Sequence, residues 1–369
     1  MNINDLNILA YYLPQFHEVE ENNKWWGKGY TEWRNAKNAV PLFKGHYQPR
    51  EPLNDNYYDL LADGTMKWQA QMAKKYGING FCFYHYWFEG RRLLEKPAEK
   101  LLADKTIDMP FCFVWANHSW SKTWEGPGGE KQILIRQTYG NKESWKKHFE
   151  YLLPFFKDDR YIKKDNKPIF MIFALERIVR YHNMLEFFNN EAKKEGFEGI
   201  YLIQMLRKAP IIKSKYVNAY TTYVPGMFND STNEKLREVK FTVNKHINTS
   251  KLSQKLSGVF YDMYDYDKCM QYLLERKYED NEYMGIFPNF DNTARRGKRA
   301  WIYKGATPKK FEKYLTKIIE MSLKADKDML FITAWNEWGE GNYLEPDKRY
   351  GYAWLNAVKR AREYNKEKR

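Results

Sequence analysis

A chain of 369 residues with 43% hydrophobic and 29% charged side chains belongs among globular proteins and has ample length for a sizeable core. The net charge of +14, from 61 Lys and Arg against 47 Asp and Glu, would suit nucleic acid, acidic polysaccharide or an anionic membrane face. The basic residues are scattered, however, and acidic ones interrupt them, as in Lys324-Ala325-Asp326-Lys327-Asp328, so the charge reads as solvated helix surface and no nucleic-acid partner is expected.

In chain order, short apolar runs predict strands over residues 8–15, 80–86, 111–116, 168–173, 199–204, 219–224, 285–289 and 330–335. They are continuous rather than alternating, as expected of parallel strands covered on both faces. Amphipathic stretches predict helices over 60–75, 142–156, 179–195, 268–276, 308–324 and 352–364. Pro308 after Thr307 reads as a capped helix start, and Gly77 and Gly196 as helix stops. Eight βα alternations predict a (β/α)8 barrel, α/β in class, forming a single domain over residues 1–369.

Two connections are long. Residues 17–57 carry Trp25-Trp26-Gly27, Tyr30, Trp33, His46 and Tyr47 and are expected to wall a site. Residues 226–258 are polar, with Asn229-Asp230-Ser231-Thr232-Asn233, and read as a lid or an insertion. Cys82, Cys112 and Cys269 show no CxxC spacing and read as buried thiols in a reducing compartment. No segment reaches the roughly 18 apolar residues of a spanning helix, and residues 1–7 lack a signal pattern. The expected location is cytoplasmic, with no integral membrane segment.

Barrel enzymes keep their chemistry at the C-terminal strand ends. There the chain places Gln15 and His17, then His85, Tyr86 and Trp87, then Trp115, Asn117 and Trp124, then Asp291 and Asn292. This mixture of flat apolar faces and bidentate polar groups suits sugars. The last strand leads into Trp335-Asn336-Glu337-Trp338-Gly339-Glu340. Two carboxylates three residues apart among indole rings are costly to bury. Glycosidic bonds require such a pair, one protonated to help the leaving oxygen depart and one ionised to stabilise or capture the anomeric carbon. The structural alternative is a brace in which Glu337 or Glu340 pairs with a nearby Arg. Glu32, Glu125, Asp291 and Glu345 are further carboxylates within reach of such chemistry. His17, His85 and His118 lack HxH or HExxH spacing, so no metal is expected. Walker, dinucleotide and GxSxG motifs are absent, and no cofactor is expected.

Several stretches are familiar in combination. They are Tyr11-Tyr12-Leu13-Pro14-Gln15-Phe16-His17, Trp25-Trp26-Gly27-Lys28-Gly29-Tyr30-Thr31-Glu32-Trp33 and Leu42-Phe43-Lys44-Gly45-His46-Tyr47-Gln48-Pro49-Arg50. Gly80-Phe81-Cys82-Phe83-Tyr84-His85-Tyr86-Trp87-Phe88, Trp115-Ala116-Asn117, Phe290-Asp291-Asn292-Thr293 and Trp335-Asn336-Glu337-Trp338-Gly339-Glu340-Gly341 follow. In this order the chain resembles the WbsX-like proteins related to glycoside hydrolase family 99, whose best-known members are endo-α-mannosidases.

The resemblance implies a (β/α)8 barrel and a retaining, endo-acting mechanism at α-linked, mannose-like residues of a surface polysaccharide. Carried over by position, Glu337 would take the proton of the sugar's 2-hydroxyl, giving a 1,2-anhydro intermediate, and Glu340 would be the acid/base. The substrate-binding residues expected with them are Tyr11, Gln15, His17, Trp26, His46, Tyr47, His85, Tyr86, Trp87, Trp115, Asn117, Trp124, Asp291, Asn292, Trp335, Asn336 and Trp338. WbsX-like proteins are also described as polysaccharide-biosynthesis glycosyltransferases. That implies an alternative, a cytoplasmic transferase of lipopolysaccharide or capsule synthesis, for which Arg295-Arg296 and Lys298-Arg299 would have to hold a diphosphate. A catalytically silent glycan-binding protein is the third reading. The expected partner in each case is an oligosaccharide or polysaccharide; the oligomeric state is left open.

Overall fold

A computed structural model describes residues 1–122, 132–206, 211–226 and 261–368. Its centre is a closed ring of parallel strands: β1 (Asn7–Tyr12), β2 (Gly80–Phe88), β3 (Phe111–Trp115), β4 (Lys167–Ile172), β5 (Tyr201–Leu206), β6 (Ala219–Thr222), β7 and β8 (Met329–Ile332). Strand β7 is split at Met284: Glu282–Tyr283 bonds β6, and Gly285–Ile286 bonds β8. Pairing of β8 with β1 closes the ring, Asn7 opposite Met329 through Ala10 opposite Ile332. This is the eight-stranded barrel expected from the βα alternation. At the split, a Cβ on Gly285 would lie 2.5 Å from the Thr222 carbonyl oxygen, so only glycine lets β7 pass that close to β6.

Among the described residues, seven helices pack outside: α1 (Thr65–Lys75), α2 (Lys96–Ala103), α3 (Lys142–Phe156), α4 (Tyr181–Lys194), α5 (Tyr266–Glu275), α6 (Pro308–Lys324) and α7 (Ala353–Glu367). Thr307 caps α6 by accepting the Lys310 N–H, with Pro308 in the first turn. Gly77 and Gly196, at φ +89° and +88°, end α1 and α4. Two readings shift. Helix α1 begins at Thr65 rather than residue 60, because Leu61 is held in a turn by the Asp59 side chain. Helix α2 went unread, and residues 211–218 between β5 and β6 carry no helix.

Strand parity sets what each side chain meets. Tyr11 contacts the rings of Tyr84, Tyr223 and Phe331 from three other segments, so it lies inside the ring. Its register neighbour Cys82 pairs with Cys112, Sγ to Sγ 3.6 Å, and both thiols are free and buried. Tyr12, one residue on, faces outward and donates to Gln69 of α1 at 2.7 Å.

The long connection after β1 carries two short helices, Glu20–Trp26 and Glu32–Asn38. Trp33 anchors it, packed on Phe16, Tyr58 and Trp338. Apart from Gly226, the polar connection over 226–258 lies outside the described residues. Among the described residues no helix is long and apolar enough to cross a membrane.

Candidate active site

Past β8 the chain forms a two-residue ladder, Asn336–Glu337 against Asn342–Tyr343, joined by a tight turn over Trp338–Glu340. The turn brings Glu337 and Glu340 to the same cation. Arg295, from the short helix Thr293–Arg296 after β7, donates through Nη2 to Glu337 Oε2 at 2.7 Å and through Nη1 to Glu340 Oε1 at 2.8 Å. Its Nε donates to Glu32 Oε1 at 2.6 Å, from the helix after β1. One planar guanidinium thus holds three carboxylates from two strand ends, Glu32 beyond β1 and Glu337 and Glu340 beyond β8.

The packing is close enough to dictate Gly339. A Cβ there would sit 1.7 Å from Glu32 Oε1 and 2.8 Å from Arg295 Nε. The Glu32 and Glu337 side chains are 2% and 6% exposed, whereas Glu340 is 19% exposed. Burial pushes the Glu337 carboxyl up to about 8; Arg295 opposes the rise, and the charges of Glu340 and Glu32 add to it. Burial likewise raises Glu32, against the pull of Arg295. With three carboxylates on one cation, a proton on Glu337 at neutral pH relieves part of the surplus negative charge.

A second layer holds this one. The Trp338 indole donates to Glu345 Oε2 at 2.7 Å and its ring stacks on Tyr343 at 3.8 Å. Glu345 also accepts from Tyr58 and Gln69, and burial raises its carboxyl to about 7. Asn336 clamps the end of β1, accepting from the Leu13 N–H at 2.7 Å and donating to the Leu13 carbonyl at 3.0 Å. Asp291 gathers His46 at 2.7 Å, Gln48 at 2.8 Å and Thr293, and its own N–H donates to the Glu340 carbonyl at 2.7 Å. Although Asp291 is buried, His46, Arg50 and Thr293 hold its carboxyl down at about 2.

A family model described as Glycosyltransferase WbsX matches residues 8–358. The chain belongs to the WbsX family. Among curated relatives, two proteins named "Uncharacterized protein WxcX", from two strains of Xanthomonas campestris pv. campestris, are each 33% identical over 359 residues. The match covers 96% of this chain and 49% of each relative, so the chain spans about half the length of the curated relatives it matches. Among solved structures, a GH99 endo-alpha-mannosidase from Bacteroides thetaiotaomicron aligns with a TM-score of 0.57 at 12% identity, covering 98% of both chains. A glycoside hydrolase-like protein aligns with the same TM-score and identity over 97% of this chain and 94% of its own. At that identity the likeness is one of fold, and it agrees with the barrel described above.

The WbsX barrel brings together part of what the sequence singled out. Besides Glu337 and Glu340, Tyr86 stands close enough to feel the charges of Glu337, Arg295 and Glu32. Gln15 contributes its carbonyl, which accepts the Glu32 N–H at 3.0 Å. Trp26 is half-buried and stacks on Tyr30, whose hydroxyl lies in the field of Glu32 and Arg295. Tyr11 forms part of the barrel interior beneath.

Other residues turn elsewhere. His85, Trp87 and Trp115 alternate outward and pack on α3: His85 Nε2 meets His148 Nε2 at 2.8 Å, Trp87 stacks on the His148 ring at 4.5 Å, and Trp115 packs edge-on at 4.8 Å. Asn117 is a clamp like Asn336, accepting from the Ala174 N–H and donating to its carbonyl, both at 2.8 Å. Trp335 is fully buried against Phe81, and Trp338 is enclosed by Trp33 and Tyr343. His46 and Asp291 bond each other, Asn292 accepts from the Trp301 N–H at 2.8 Å, and Tyr47 lies under Arg349 and Arg50. His17 is buried, and desolvation holds its imidazole down at about 4. Trp124 lies outside the described residues. Among the described residues no group of three His, Cys, Asp or Glu side chains is placed to hold a metal ion, and the His17, His85 and His118 trio does not assemble.

Of the basic residues Arg295-Arg296 and Lys298-Arg299, Arg295 is engaged by three glutamates. Its role could not be read from sequence, because nothing there reveals the length and path of the loop that swings it inward. Glu32 was legible only as a carboxylate within the familiar Tyr30-Thr31-Glu32-Trp33 stretch. Tyr84, which also senses Glu337, was hidden in an unbroken apolar run.

Proposed function

We propose that this chain is a carbohydrate-active enzyme that breaks or remakes a glycosidic bond within a surface polysaccharide, with Glu337 and Glu340 as its acid–base pair. The observation that carries the reading is the convergence of three carboxylates on Arg295 at the C-terminal mouth of a closed barrel. A mechanical brace needs one carboxylate per guanidinium. Three leave surplus negative charge in a buried place, which lowers stability and is better explained by chemistry. Membership of a family described as glycosyltransferases, on a glycoside hydrolase-like barrel, supports the same substrate class.

In its finer form the reaction is retaining and endo-acting at an α-linked, mannose-like residue. Glu337 removes the 2-hydroxyl proton, and that oxygen attacks its own anomeric carbon. The bond to the leaving oxygen breaks as Glu340 protonates it. Water, activated by the same Glu340, then opens the 1,2-anhydro ring, and the 2-oxygen recovers its proton. A carboxyl that titrates near 8 is a strong base once ionised and lies close to the working pH that favours proton transfer. With a sugar hydroxyl in place of water the same steps give transfer, the reading that the family's description favours.

Replacing Glu337 or Glu340 with Gln is expected to lower turnover of an α-mannosyl polysaccharide by roughly 10²- to 10⁴-fold, with circular dichroism unchanged. Full turnover in both variants would overturn the proposal. Glycan affinity persisting in the double variant, with no product from the parent chain, would instead identify a binding protein. The pH profile assigns the roles. If Glu337 is the base, kcat/KM rises with pH up to about 8; if it is the acid, kcat/KM falls above that point.

A further inference from the structure

We propose that Glu32 and Arg295 are positioning residues: the Glu32 carboxylate anchors the guanidinium through Nε, and its two remaining nitrogens set the spacing and proton sharing of Glu337 and Glu340. The inference rests on the acid–base reading of those two glutamates. It is carried by geometry. All three donor edges of Arg295 are engaged, at 2.6, 2.7 and 2.8 Å, each by a different carboxylate, one from beyond β1 and two from the turn beyond β8. Gly339 leaves the space through which Glu32 and Arg295 reach the turn between the pair. The Glu32 backbone is itself held, its N–H bonding the Gln15 carbonyl just beyond β1. A fork with one prong on each glutamate and its stem pinned by a third acid has little freedom to swing.

The charged and titratable groups around Glu337 are Arg295, Glu340, Glu32, Tyr84 and Tyr86; those around Glu32 are Arg295, Glu337, Glu340, Tyr30 and Tyr86. Glu32 and Arg295 therefore act on Glu337 with opposite sign. Glu32→Gln keeps an oxygen for Nε but removes a negative charge, so the ionised form of Glu337 becomes easier to reach. Arg295→Met removes the opposing cation, so that form becomes harder to reach.

The test is a carboxyl-carbon NMR titration of the full chain labelled in glutamate, with the Glu337 signal identified by its loss in Glu337→Gln. Its midpoint is expected to fall by about one pH unit in Glu32→Gln and to rise by about one unit in Arg295→Met. A role confined to packing would lower the melting temperature and leave both midpoints in place. An unmoved midpoint in Glu32→Gln overturns the proposal, and that variant decides alone if Arg295→Met does not fold. Because the readout needs no substrate, midpoints that move as expected while the parent chain turns over no glycan would sink the proposed function and leave the clamp standing.

Discussion

Two quarters of this barrel look alike in sequence and differ in the fold. One, at the ends of β2 and β3, is written His85-Tyr86-Trp87 and Trp115-Ala116-Asn117; the other, after β8, is written Trp335-Asn336-Glu337-Trp338-Gly339-Glu340. Both interleave indoles with groups that carry or accept protons. In the first, the imidazoles of His85 and His148 share one hydrogen bond between barrel and α3, and burial pushes His85 down to about 3 and His148 well below its ordinary value. The pair is neutral, stacked and satisfied. In the second, the indoles are the buried support, and the ionisable groups meet one another across a buried cation. Aromatic and titratable content therefore does not mark a site. What separates the two regions is charge that the fold gathers without fully compensating it, and the proposed function rests on that difference.

Substitutions can break or sharpen this contrast. The largest effect expected is the roughly 10²- to 10⁴-fold loss of turnover in Glu337→Gln or Glu340→Gln, set against unchanged turnover in His148→Phe. Equal losses in both quarters, measured on one glycan, would erase the distinction. Next, Arg295→Met leaves three acids without their cation and is expected to lower stability by roughly 3–5 kcal/mol, read by urea melts. His148→Phe leaves His85 Nε2 unpaired and should cost about 1–3 kcal/mol in the same assay. Gly339→Ala should also cost about 1–3 kcal/mol, since its Cβ meets Glu32, but its loss of turnover should exceed that of His148→Phe.

The smallest and most diagnostic effect is the response of stability to pH. Unfolded histidine binds its proton near pH 6.5, whereas folded His85 stays neutral down to about 3. The unfolded state thus holds more protons in that window, and stability falls as pH drops below 6.5, by on the order of 2 kcal/mol at pH 5 from His85 alone. Glu337 has the opposite sign. Its folded carboxyl keeps a proton up to about 8 while the unfolded one has lost it, so stability falls as pH rises from the ordinary carboxylate range towards 8. Melts of His148→Phe should flatten the acid side and melts of Glu337→Gln the alkaline side. A variant that flattens the wrong side would contradict the placement of its charge.

The sequence by itself determined the strand count and the parallel barrel, because eight unbroken apolar runs with helical stretches between them admit few other packings. It also singled out Glu337 and Glu340, since two acids among indoles at a strand end oppose burial. Only the tertiary structure decided which aromatic residues face the axis. Strands buried on both sides carry no polar alternation, so Tyr86 and its neighbours His85 and Trp87 look equally apolar until the register is formed. Only it could bring Glu32 onto the guanidinium of Arg295, 263 residues away, because electrostatic partnership depends on distance in space and sequence spacing records only distance along the chain.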